Sequence, residues 1–132
     1  MLTQEMNDRY TRVGPGTPTG ELMRRYWHPV AAVSQMNDKW TMKVRILGED
    51  LILYKDRSNT FGLMEPHCAH RRMNMIYGIP EENGLRCPYH GWLFDETGQC
   101  TEQPYEETED PEARFKDKIQ MKAYPVQLKA GL

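Results

Sequence analysis

The sequence predicts an all-β fold of short antiparallel sheets carrying two loop-borne Cys/His pairs, with a short N-terminal helix. Three observations point there. Apolar residues recur at period two in runs of only a few residues, turn signals fall roughly every 8–12 residues, and ten Gly and nine Pro are scattered along the chain. At 132 residues there is room for one modest core.

Composition excludes several function classes. The chain is 39% hydrophobic and 27% charged, with a formal net charge of −2, so no basic field calls for nucleic acid or anionic lipid. No apolar run approaches the roughly 18 residues of a membrane span. The opening Met1 to Asp8 has neither a basic nor an apolar signal-peptide region, so the expectation is a cytoplasmic protein with no membrane and no nucleic-acid partner.

The elements follow in order. Residues 1–13 are polar and read as peripheral. Gly14 to Gly20 is turn-rich and leads into a short helix with Thr17 as N-cap and Pro18 at its first position; Leu22, Met23 and Tyr26 would line one face, and Pro29 would end it. Val30–Val33 reads as a short strand. Met42–Leu47 and Leu51–Tyr54 flank Gly48-Glu49-Asp50 as a β-hairpin. Thr60–Met64, Leu85-Arg86, Trp92–Phe94 and Gln99–Thr101 are further strands, the last two around a turn at Glu96-Thr97-Gly98. Ile119–Tyr124 would close the sheet after a long acidic loop.

Three cysteines without a secretory context argue for metal or redox chemistry rather than a disulfide framework. Two ligand pairs stand out, Cys68-Ala69-His70 and Cys87-Pro88-Tyr89-His90, separated by residues 71–86. One thiolate and one imidazole from each of two loops is the ligand set of a Rieske [2Fe–2S] centre, with both Cys on one iron and both His on the other. Two ferric ions, two sulfides, two thiolates and two neutral imidazoles sum to zero, and to minus one after reduction. An all-thiolate cluster is two units more negative in each state. Histidine ligation therefore raises the potential, to roughly −150 to +300 mV. Cys₂His₂ also suits tetrahedral zinc, and ligand types alone do not separate the two. The flanks favour iron–sulfur, because each pair mixes Cys and His on turn-rich loops, whereas zinc fingers gather two Cys and then two His on a helix.

His67-Cys68-Ala69-His70-Arg71 and Cys87-Pro88-Tyr89-His90-Gly91-Trp92 resemble the two cluster loops of ring-hydroxylating oxygenases. Gly14-Pro15-Gly16-Thr17-Pro18 and Met23 to Val30 resemble the N-terminal part of phthalate-dioxygenase-like oxygenase components, and the likeness runs on through Gly98-Gln99-Cys100 and Phe115–Lys118 to Val126. The resemblance implies a Rieske fold over residues 29–132, with cluster loops at 67–75 and 87–92, behind an N-terminal segment at 1–28. It implies a single [2Fe–2S] cluster and one-electron transfer. The donor would be a flavin or iron–sulfur reductase. The acceptor would be a mononuclear Fe(II) in an oxygenase domain that hydroxylates or O-demethylates aromatic compounds.

That domain, with its two His and a carboxylate, is not recognisable here, and the last strand of the Rieske domain is expected beyond Leu132. The chain alone is thus expected to transfer electrons and to have no catalytic residue of its own; homo-oligomer formation is left open. Many family members have Gly after the His-Arg of loop one, where this chain has Arg72. The respiratory type carries an additional Cys in each loop and a membrane anchor; neither is found here. A free-standing Rieske-type ferredoxin is the alternative, and the Trp27-His28-Pro29 segment argues against it.

Other residues carry weaker expectations. Arg71, Tyr89 and Trp92 are placed around the cluster, the aromatics to shield it from water and Arg71, with Arg72, to meet an acidic partner or the reduced cluster. His67 reads as a loop residue, His28 as a helix-end contact, Cys100 as a small buried thiol, and the acidic run from Glu102 to Glu112 as a solvated loop.

Overall fold

A computed structural model describes residues 1–112 and 114–132. Two four-stranded antiparallel sheets form the body of the chain. The first joins β1 (Thr41–Ile46), β2 (Glu49–Lys55), β3 (Phe61–Met64) and β8 (Ala123–Tyr124) in that order; the second joins β4 (Ile79–Glu81), β5 (Gly84–Arg86), β6 (Leu93–Phe94) and β7 (Cys100–Glu102). The second sheet is thus inserted between β3 and β8. One Cys/His loop leaves β3 toward the second sheet, and the other bridges β5 and β6 inside it.

A hairpin of β1 and β2 forms where the sequence predicts one, with Val44 opposite Leu51 and Met42 opposite Leu53, but Glu49 and Asp50 belong to β2 rather than to the turn. Its two-residue turn is Leu47-Gly48, both at positive φ (47° and 77°), the backbone of a type I′ turn. Leu51 to Tyr54 is apolar without alternation because β2 is covered on both sides. Leu51 and Leu53 join Met36 and Leu63 in one core, while Ile52 and Tyr54 join Met64, Phe94 and Cys68 in the other. Each such side chain, fully buried, contributes roughly 1.5–3 kcal/mol.

Several elements differ from expectation. Residues 4–11 form a helix, α1 (Gln4–Thr11), because Thr3 Oγ1 accepts from the amide of Met6 at 3.2 Å; none of its residues is buried. Helix α2 (Pro18–Met23) has the predicted Thr17 cap and leading proline, yet it stops at Met23 rather than at Pro29. Leu22 and Tyr26 do not line a buried face; both are exposed. Val30–Val33 is not a strand but coil running into a 3₁₀ turn (Val33–Met36) that buries Met36. The final strand is only Ala123–Tyr124, with Gln120 making a lone bridge to Gln99. Within the acidic run lies a helix, α3 (Pro104–Glu109), with proline at its start and Glu106 and Glu107 in the first turn, where carboxylates suit the positive end of the helix dipole.

Glu49 fastens α2 to the first sheet. Arg24 Nη1 lies 2.8 Å away, Lys122 Nζ 2.6 Å, and the Tyr124 hydroxyl donates at 2.9 Å. Burial alone would raise the Glu49 carboxyl, but Lys122, Tyr124 and Arg24 outweigh it and hold the group below the ordinary carboxylate range.

Candidate metal centre

Both Cys/His loops are built on one backbone frame. In the first, the Cys68 amide donates to Met73 O at 2.8 Å and the Arg72 amide returns to Cys68 O at 3.0 Å. In the second, the Cys87 amide donates to Trp92 O at 2.8 Å and the Gly91 amide returns to Cys87 O at 3.0 Å. Each loop closes through a residue in the left-handed region four positions after its Cys, Arg72 (φ 60°) and Gly91 (φ 78°). The frame carries the histidine at the second position after Cys68 and at the third after Cys87.

The loops bring all four predicted ligands together. Cys68 and Cys87 are buried (1% and 2% exposed) at the end of the core that holds Ile52, Tyr54 and Phe94, and their thiols lie against each other. The His70 and His90 rings stand 4.5 Å apart between centroids, inclined at 64°. Burial pushes the Cys68 thiol upward, partly offset by backbone amides of His70 and Arg71, and the neighbouring Cys87 raises it further. Burial, then the neighbouring His90 and Arg71, lowers the His70 pKa, favouring a neutral imidazole with a free lone pair.

The donor set fits an iron–sulfur cluster. His70 Nδ1 is buried without a hydrogen-bond partner among the described residues, a position that a metal bond would satisfy. The buried Cys68 thiol, pushed up by desolvation, ionises only next to strong positive charge. Among the described residues, no three His, Cys, Asp or Glu side chains converge on one point. The side chains instead form a thiol pair and an imidazole pair, as two irons with two protein ligands each require.

The surroundings place the other predicted residues. Trp92 is buried and stacks on His70 at 4.4 Å, 8° from parallel. Tyr89 lies 3.9 Å from the His90 ring, yet is 57% exposed. Arg71 is exposed beside His70. His67 pairs through its backbone with Asn74 across loop one, and His28 Nε2 lies 2.8 Å from Met23 O at the end of α2. Cys100 is buried, its thiol pushed up to about 12 by desolvation.

Two contributors escaped the sequence reading. Arg86 donates to Glu81 (3.0 Å), Glu102 (2.6 Å) and Gly91 O (2.7 Å), tying loop two to β4 and β7, the edge strands of the second sheet. Phe115 meets the edge of Trp92, 6.3 Å between centroids. No spacing signal announces either, since Glu102 and Trp92, the partners of Arg86 and Phe115, are distant from them in sequence.

Residues 26–125 match the Rieske [2Fe-2S] domain family. The chain is 58% identical, over its full length, to 31% of the 5,5′-dehydrodivanillate O-demethylase oxygenase subunit of a Sphingobium species. It is 41% identical over 77% of its length to 24% of the phthalate 4,5-dioxygenase oxygenase subunit of Pseudomonas putida. Among solved structures, NdmA of Pseudomonas putida CBB5 superimposes with a TM-score of 0.71 at 28% identity, covering 84% of this chain and 34% of that one. The chain therefore spans about a third or less of these relatives. Paired loops, paired Cys and His side chains and the family match agree: this chain belongs to the Rieske [2Fe–2S] domain family, in the form found in bacterial oxygenase subunits, and its cofactor is one Rieske-type cluster.

Proposed function

We propose that Cys68 and Cys87 hold one iron and His70 and His90 the other, and that the chain is the electron relay of an aromatic-ring hydroxylating or O-demethylating oxygenase. The observation that carries this reading is the buried, unpartnered Nδ1 of His70 beside His90 and the thiol pair. When bound, the cluster supplies reversible one-electron redox chemistry at a potential above that of all-thiolate clusters. The chain's own residues hold and insulate it. The core around Cys68 and Cys87 keeps water from the thiolate side, and Trp92 covers one face of His70. Arg71, Arg72 and Tyr89 form an exposed rim where a redox partner can approach the imidazoles.

The donor in this reading is a flavin or iron–sulfur reductase, in the cytoplasm, and the acceptor a mononuclear iron bound outside these residues. Identity to an O-demethylase subunit through residues 1–28 supports an oxygenase over a free-standing ferredoxin, with residues 29–132 as the Rieske domain proper.

Purified protein should be coloured, contain two irons and two sulfides, and give the rhombic electron paramagnetic resonance signal of a His-ligated cluster once reduced. A colourless, zinc-containing protein would sink the proposal. His70→Cys or His90→Cys should lower the potential markedly where a cluster assembles; an unchanged potential would refute the ligand assignment.

A further inference from the structure

Besides His70 Nδ1, three buried polar atoms at this end of the molecule have no hydrogen-bond partner among the described residues: Trp92 Nε1, Gln103 Nε2 and Glu106 Oε2. They belong to one neighbourhood. The β6–β7 ladder pairs Leu93 with Glu102, and one further step along that register sets Trp92 beside Gln103. Glu106 stands one helical turn beyond Gln103 in α3, whose Pro104 packs against loop two: a Cβ added to Gly91 would lie 3.2 Å from Pro104 Cγ. His70 in turn stacks on Trp92. A carboxylate with one oxygen shielded from water thus lies in α3, the helix packed on loop two next to the Trp92–His70 stack. Its field acts on His70 in the sense that favours positive charge, against His90 and the exposed Arg71.

We propose that Glu106 is a positioning residue for the His-ligated half of the centre, setting near His70 a carboxylate with one oxygen shielded from water, which lowers the reduction potential of the bound cluster. The proposal rests on His70 being an iron ligand. The sign follows from charge: reduction takes the cluster and its four ligands from zero to minus one. A nearby anion disfavours that added electron, and does so most where water does not screen it. Glu109, exposed on the same helix, lacks that shielding.

The test is a redox titration of the cluster-loaded chain at fixed pH, followed by electron paramagnetic resonance, with pulsed spectra recording the imidazole nitrogen couplings. Glu106→Gln removes the charge and keeps the shape. It should favour reduction on the order of tenfold, about 59 mV for one electron, with both nitrogen couplings retained. Glu106→Asp should keep most of the wild-type potential, and Glu109→Gln should move it far less than Glu106→Gln. A Glu106→Gln potential equal to wild type, or an equal shift from Glu109→Gln, would overturn the proposal. Its failure is distinguishable from failure of the ligand assignment. In the first case the His-ligated signal is present with the potential unmoved; in the second, wild type itself lacks that signal.

Discussion

The two cluster loops share a frame and differ in how they sustain it. Each closes with the same pair of backbone hydrogen bonds around its Cys, and each needs a left-handed residue to do so. Loop two uses Gly91, for which that conformation is free of steric strain, and is further clamped by Arg86. Loop one uses Arg72, whose Cβ resists it by roughly 1–2 kcal/mol. Its anchors lie at the far end instead: Met75 N donates to Pro66 O at 2.8 Å, and the Asn74 side chain accepts from Ile76 N at 3.0 Å. Loop two also supplies the aromatic partner of both imidazoles, Trp92 for His70 and Tyr89 for His90. Thus one loop is the scaffold, and the other carries a strained, cationic tip.

Substitutions can break or sharpen that contrast. The largest effect is expected at Trp92. Its replacement by alanine should cost about 3–5 kcal/mol in denaturant unfolding, because it empties a buried site beneath His70. A loss under 1 kcal/mol would remove loop two's role as scaffold. Next come the closing residues, with opposite signs. Gly91→Ala should destabilise by about 1–2 kcal/mol, from left-handed strain and crowding of Pro104. Arg72→Gly should be neutral to about 1 kcal/mol stabilising, relief of strain being offset by a freer unfolded chain. Equal destabilisation by both would erase the distinction between the loops. The smallest effect belongs to Tyr89→Ala, expected within about 0.5 kcal/mol because the ring is mostly exposed. Its measurable consequence should lie in electron-transfer rates with a reductase rather than in stability.

The two Cys/His pairs were legible because Cys and His at short spacing on turn-rich loops carry strong information, and the hairpin because Gly48-Glu49-Asp50 sits between two apolar runs, although the turn itself is Leu47-Gly48. What stayed hidden has physical causes. Helix α1 carries only Met6 and Tyr10 as apolar residues, both exposed, too short a pattern to stand out beside the Thr3 cap. Val30–Val33 looks like a strand because a short apolar run suits coil packed on a core equally well. Strand β4 contains Pro80, which reads as a breaker but occupies an edge. Pro104 likewise reads as a loop residue, although at a first helical position it starts α3. The site's surroundings were less legible than its ligands. Trp92 was picked out by position, whereas its stacking on His70, the Arg86 clamp and the approach of α3 depend on chain crossings that local sequence does not encode.

The burial of Cys68 and Cys87 has a consequence for biogenesis. Both thiols belong to the same apolar core as Tyr54, Met75 and Phe94, so under the proposed ligation the packing of the inserted sheet is coupled to delivery of the cluster. The outer core, built around Met36, Leu51 and Leu63, has no such dependence. Synthesis under iron starvation should therefore yield a half-matured chain, with amide exchange slow along β1 and β2 and fast across residues 67–102 until the cluster arrives.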